Sequence, residues 1–352
     1  MYSEDVYIKL LCDLIRTRPE SRNIPAINKA QKMMLEFLQE RGLYCTMERD
    51  GARNVLFAAT HPGKVMDYLL CVHLDVVPAA DEKQYEPYIE GDLLYGRGSK
   101  DCLGPAIAAA KTLCSLPAGK KVGCIFTNDE EIGGATTMFM VNQGYKATRA
   151  GYVIDGGNGV FFSHKGSVTM KIIARGKGGH SSRPWTLDNP VSKLITGLNN
   201  VINKWDNPVD NDDWRPSLAV TILNAGNVSN RIPDTAEAVI NVRFTTLEEM
   251  DKVCDFVREE SGLEVTVTGS CDPFNTDPES EVTQRTVSVY NRIFGRDTRP
   301  MRMSGATDAR HLCKMGCPVL ITGVEGTNSH GLDEYLVISS IDKIVLMMHE
   351  LL

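Results

Sequence analysis

Three short apolar runs, each giving way to acidic residues, restrict this 352-residue chain more than any other feature. Tyr68-Leu69-Leu70-Cys71-Val72 leads into His73 and Asp75, Val122 to Thr127 leads into Asp129-Glu130-Glu131, and Ala150 to Ile154 leads into Asp155. Runs of this length without polar alternation suit strands covered on both faces. Between them lie an Ala-rich segment, Gly104 to Leu116, and the segment Ala135 to Gly144, both built of good helix formers. The alternation predicts an open α/β sheet, and such sheets collect ligand-binding groups at the carboxyl ends of their strands. The acids fall where a site belongs.

The chain is longer than a single hydrophobic core usually grows, which predicts two domains. Residues 5 to 42 carry apolar positions at helical spacing, as in Leu10, Leu11, Leu14 and then Met34, Phe37, Leu38, and predict two amphipathic helices. From about residue 167 the pattern changes. Ser167 to Ala174 and Ala236 to Phe244 alternate as half-buried strands, while Pro190 to Trp205 and Leu247 to Ser261 read as helices. The expected organisation is therefore a discontinuous domain, 1–166 and 271–352, interrupted by a small α+β domain at 167–270. The turn-rich segment Asp272 to Pro278 would return the chain.

Composition removes several functions. A net charge of −7 without basic runs argues against nucleic acid, and no stretch of about 18 apolar residues argues for a membrane span. Ten scattered cysteines suit reduced thiols, and Cys313 to Cys317 has no second pair to complete a zinc site. The acidic start Met1-Tyr2-Ser3-Glu4-Asp5 differs from a basic targeting peptide, so a cytoplasmic protein is expected.

Five segments carry chemistry-bearing groups. His73-Leu74-Asp75 puts an imidazole and a carboxylate on one side of an extended chain, an arrangement that suits an oriented metal ligand or a structural hydrogen bond. Gly96 to Asp101 ends in a carboxylate that serves either a site or the N-cap of the following helix. Asp129-Glu130-Glu131 crowds three acids, which is unfavourable unless cations or protons neutralise them. Asp155-Gly156-Gly157 and Ser329-His330-Gly331 complete the set.

In this order the motifs resemble the co-catalytic zinc family that includes succinyl-diaminopimelate desuccinylase, acetylornithine deacetylase, aminoacylase and glutamate carboxypeptidase. The resemblance runs from His73 to His330. It implies a zinc-peptidase-like α/β catalytic domain, a central mixed sheet flanked by helices, with an inserted smaller α+β lid and dimerisation domain. It also implies two zinc ions per chain, for which cobalt or manganese could substitute. His73 and Asp155 would hold one, Glu131 and His330 the other, and Asp101 would bridge them, with Glu130 as general base and Asp75 orienting His73. Gly178-Gly179-His180-Ser181-Ser182 resembles the lid motif whose histidine reaches the partner subunit's site and stabilises the oxyanion, so a homodimer through the lid is expected. Asn230-Arg231 and Ser304 to Arg310 resemble pocket segments, with Arg310 the candidate for a substrate carboxylate. Arg231 and Arg243 equally suit structural ion pairs. Cys102-Leu103-Gly104-Pro105 departs from the Met-Lys-Gly-Gly-like stretch of many relatives.

The expected function is hydrolysis of the amide of an N-acyl amino acid, desuccinylase-like or deacetylase-like. A dipeptidase or carboxypeptidase acting on a short peptide through the same metals is the alternative. A catalytically silent binding protein is the reading from another class, and the presence of Glu130 with all five ligand candidates counts against it.

Overall fold

The computed structural model describes residues 5–210 and 212–352. The acidic start up to Glu4 lies outside them. The chain divides into two compact units. The first comprises residues up to Ser163, Asn275–Arg302 and Thr307–Leu352, and the second His164–Phe274 with Met303–Ala306. The unit boundaries lie a few residues from the joins at 166/167 and 270/271, because His164 and Lys165 already belong with the second unit: the His164 ring meets Phe274 at 5.4 Å and the Lys165 N–H donates to the Met303 carbonyl.

The first unit is built on a mixed sheet. Val65–His73 runs parallel to Val122–Thr127 on one side and to Lys146–Val153 on the other, and Val319–Ile321 continues the parallel set beyond Lys146–Val153. The hairpin Tyr44–Asp50 and Arg53–Ala59 extends the other side antiparallel, through Arg53–Ala59 against Val122–Thr127. The central strands are buried on both faces, Leu69, Leu70, Cys71, Cys124, Ile125 and Phe126 all being inaccessible to solvent. Each large side chain so buried contributes about 1.5–3 kcal/mol.

Helices supply the cover. Val6–Arg16 opens on Asp5, whose carboxylate accepts from the Tyr7 and Ile8 N–H groups, and buries Leu10, Leu11, Leu14 and Ile15. Ile24–Gln39 is capped by Asn23 and buries Ile27, Met34 and Leu38. Gly104–Ser115 is almost wholly buried, which explains its many alanines. Glu281–Phe294 and Ser339–Leu351 also pack on this core.

The second unit is a four-stranded antiparallel sheet in the order Ser217–Ala225, Thr235–Phe244, Gly166–Arg175, Glu264–Cys271. The two central strands alternate buried and half-buried residues along their length. Pro190–Lys204 and Leu247–Ser261 join their buried faces to form a separate core with Val168, Met170, Ile172, Ile240 and Val242. Ser167 pairs with Cys271, so the chain enters and leaves this unit on neighbouring strands. No helix among the described residues is long and apolar enough to cross a membrane.

Candidate active site and metal centre

Parallel pairing aligns the carboxyl ends of three strands. His73 is opposite Thr127, and Cys71 is opposite Val153, so His73, the Glu130–Ile132 turn and Asp155 leave the sheet side by side. His73 is buried, with side-chain exposure of 1%. Its Nε2 lies 3.1 Å from Asp101 Oδ1 and 3.5 Å from Asp155 Oδ1. The half-exposed His330 places Nε2 3.3 Å from Asp101 Oδ2 and 3.0 Å from Glu131 Oε1. Asp101 thus divides its two oxygens between two groups, His73 with Asp155 and His330 with Glu131.

The electrostatics of this cluster call for positive charge. Burial, with Asp101 beside it, pushes the Asp155 carboxyl above the usual carboxylate range, against the pull of His73. Burial also raises Glu131. Burial and the facing Asp155 push Glu130 well up. Burial opposes Asp101, yet the hydrogen bonds from His330 and His73 hold its carboxyl well below the usual range. Bonds to Asp101 and Glu131 lift His330 to about 10. Burial disfavours a charged His73, but the Asp155 and Asp101 carboxylates facing it more than offset that. Both shifts have one cause, carboxylates crowded around each imidazole, and the same crowding favours a bound cation. Imidazole and carboxylate donors at these separations fit hard-to-borderline divalent cations. Among the described residues, the groups whose ligand atoms fall within 4.8 Å of one another are His73 with Asp101 and Glu131, and His73 with Cys102 and Asp155. Cys102 is fully buried and burial pushes it up to about 12, so it remains a thiol at neutral pH.

Asp75 is fully buried beneath the cluster. His73 Nδ1 lies 2.9 Å from the Asp75 carbonyl and 3.4 Å from its carboxylate, which instead accepts from the Glu130 and Glu131 N–H groups and, at 2.7 Å, from Ser21 Oγ. It therefore seats both the imidazole and the Glu130–Glu131 turn. Glu130 is nearly buried and faces Arg310, with Nη1 3.8 Å from Oε1. Arg310 is itself buried, donating to the Thr307 carbonyl at 2.7 Å.

Asp129, the third acid of its run, turns away from the cluster and accepts from the Thr136 N–H and hydroxyl at the start of Ala135–Asn142. Asp101 does not cap Gly104–Ser115, which has no side-chain cap. The Asp101–Cys102 peptide is cis.

In the second unit, His180 and Arg231 face each other across a two-residue ladder, and the Ser181 N–H donates to the Asn230 carbonyl. His180 is exposed. The Ser182 N–H donates to its Nδ1 at 3.2 Å, so the neutral ring carries its proton on Nε2. Arg231 pairs with Asp234 at 2.6 Å, the structural ion pair that its sequence context also allows.

Sequence patterns gave no role to Ser21, Arg97, Lys100, Asp308 or Glu334. Arg97 Nη1 meets Glu334 at 2.7 Å with both side chains 1% exposed. Lys100 Nζ donates to the Gly156 carbonyl at 2.7 Å. Asp308 accepts from the Thr127 and Thr137 hydroxyls. Ser21 carries no signal in the sequence, and the charge of the other four says nothing of which partners they meet.

Comparison with known proteins agrees with this geometry. The model of peptidase family M20/M25/M40 matches residues 69–352. Succinyl-diaminopimelate desuccinylase 2 of Ruegeria sp. (strain TM1040) is 27% identical over 370 residues, spanning 95% of this chain and 91% of the relative. An M20 family metallo-carboxypeptidase from Sulfolobus solfataricus has the same fold, with a TM-score of 0.79 at 17% identity over 99% of this chain and 98% of that one. So does a dinuclear metal binding M20 peptidase from Bacillus subtilis, with a TM-score of 0.67 at 14% identity over 99% and 98%. With its strand-end acids and paired imidazoles, the chain belongs to peptidase family M20/M25/M40 and is a metal-dependent hydrolase of amide bonds.

Proposed function

We propose that the chain is a two-zinc deacylase that hydrolyses the amide of an N-acyl amino acid. The observation that carries this reading is the division of Asp101 between two imidazole–carboxylate groups, which leaves two places for a cation and one shared ligand. His73, Asp155 and Asp101 would hold one zinc, and Glu131, His330 and Asp101 the other. Bound zinc lowers the pKa of water and polarises a carbonyl.

The protein's own groups do the rest. Glu130 is not among the residues that would hold the cations, and from the turn seated on Asp75 it would take the water's proton and pass it to the leaving amine. Asp75 fixes the His73 ring and the Glu130 turn. His180, with its proton on Nε2, is a donor for the oxygen that gains charge in the transition state. We assign it to the partner's site in a homodimer. The edge strand Ser217–Ala225 supports that assembly, because it leaves Ile222 and Leu223 half exposed at an open sheet edge. Arg310, Asn230 and Arg231 are the candidates for the substrate carboxylate. The desuccinylase relative favours an acyl amino acid as substrate, and the ten scattered cysteines suit a reducing cytoplasm.

The test is metal content by plasma mass spectrometry, followed on the same sample by N-succinyl, N-acetyl and dipeptide substrates. About two zinc per chain, with chelator-sensitive release of amine from the acyl substrates, is the expected result. Turnover of dipeptides alone moves the enzyme to the peptidase branch, and failure to bind zinc removes the ligand assignment.

A further inference from the structure

The ligand candidates come from loops far apart in the chain, and one buried ion pair joins two of them. Glu334 Oε2 accepts from Arg97 Nη1 at 2.7 Å and from the Gly98 N–H at 3.0 Å. Its Oε1 accepts from the N–H groups of Lys100 at 3.0 Å and of Asp101 itself at 3.1 Å. One carboxylate therefore gathers four donors from the loop that ends in Asp101. Arg97 turns its other amino group the opposite way, to the carbonyls of His330 at 3.1 Å and Gly331 at 3.3 Å. His330 has φ +65, a left-handed backbone that a non-glycine residue adopts only when its surroundings hold it there. Gly98, at φ +80, lets the loop close over this pair, since a Cβ there would lie 2.4 Å from Val76.

Stability alone does not account for the arrangement. A buried ion pair is often no more stabilising than apolar residues filling the same space, because both charges lose their water. What this pair does fix is geometry: Arg97 and Glu334, 237 positions apart in sequence, tie the loop that ends in Asp101 to the loop that carries His330. We propose that Glu334 and Arg97 are positioning residues for the metal centre, Glu334 setting the shared ligand Asp101 and Arg97 setting His330. The proposal rests on the two-zinc reading of the site. It predicts unequal effects. Because all four groups facing Glu334 are donors, glutamine presents an NH₂ to two of them and cannot replace the carboxylate. Asp101 serves both cations, so Glu334→Gln should weaken both. Arg97→Lys keeps a positive charge for Glu334 but loses the fork that reaches His330 and Gly331, and should weaken one.

Zinc titration of the chelator-stripped full chain, with the absorption spectrum of the cobalt-loaded protein as a second readout, decides the matter. The expected result is a loss of about ten- to hundredfold in affinity at both sites for Glu334→Gln and at one site for Arg97→Lys. The cobalt bands should shift in each; metal-free Arg97→Lys, which keeps a positive charge for Glu334, should melt close to the wild type, and metal-free Glu334→Gln, which strips Arg97 of its buried counter-charge, should melt lower. Wild-type affinities and spectra in both variants would overturn the proposal while leaving the two-zinc reading intact. If Glu334→Gln fails to fold, Arg97→Lys decides alone on the same two readouts. A wild type that binds no zinc would remove the reading and the proposal together.

Discussion

Around Asp101 each functional side chain is gripped by partners from other loops, whereas around His180 the holds are local and open to solvent. His73, Asp75, Asp101 and Glu131 lean on groups separated from them by tens to hundreds of residues, and His73 and Asp75 are fully buried. His180 is held by Ser182, two residues on, and the neighbouring Trp185 is 78% exposed. The difference teaches where each region gets its precision. The first is preorganised by its own chain and suits groups that must tolerate crowded charge. The second leaves its histidine exposed, held only within its own turn.

The comparison can be broken at either end. The largest effect belongs to Glu130→Gln, which should lower kcat by roughly a thousandfold while zinc content stays at the wild-type value. Retained turnover would take the general base away from this residue. His180→Ala should lower kcat by about a hundredfold and move the unfolding free energy by less than about 0.5 kcal/mol, since nothing buried is lost. Mixing these two inactive variants should restore part of the activity if His180 serves its partner; no recovery in a mixed dimer would assign it to its own chain.

Gly134→Ala probes the tightness of the first region from another side. At φ +64 the new Cβ would lie 2.0 Å from Asp308 Oδ1, so chemical denaturation should report a loss of about 1–3 kcal/mol. A neutral outcome would mean that the Glu130 loop is looser than its packing implies. A pH dependence probes the same region. Burial and then Arg310 depress His311 to about 4, and its ring meets the Gly133 carbonyl at 3.1 Å. The unfolded ring titrates near 6.5, so the fold favours the neutral form. Its contribution is complete above about pH 6.5, declines as the pH falls, and is gone below about 4. Unfolding measured in chelator should show a shallower slope across that window for His311→Gln than for the wild type.

The strands and helices that carry the site were legible because burial on both faces leaves unbroken apolar runs, and amphipathic helices leave a period. Ser217–Ala225 and Glu264–Cys271 were not marked by the sequence pattern, since both lie at sheet edges, are largely exposed and carry register irregularities. Within the site, strand-end acids announced themselves, and the structure resolves choices the residues left open. Asp101 faces two histidines and caps no helix. Asp129, from the same acidic run as Glu130, is absorbed in a local turn. Ser21, Arg97 and Glu334 were invisible for a simple reason: their meaning lies in partners that no local spacing connects.

The pairing of Ser167 with Cys271 has an evolutionary and practical corollary. Entry and exit of the second unit lie one strand spacing apart, about 5 Å, so to the rest of the chain the whole excursion is equivalent to a tight turn. Closing so short a gap costs little chain entropy however many residues it contains. The excursion can therefore lengthen or shorten between its two outer strands without asking the sheet that bears the acids to refold.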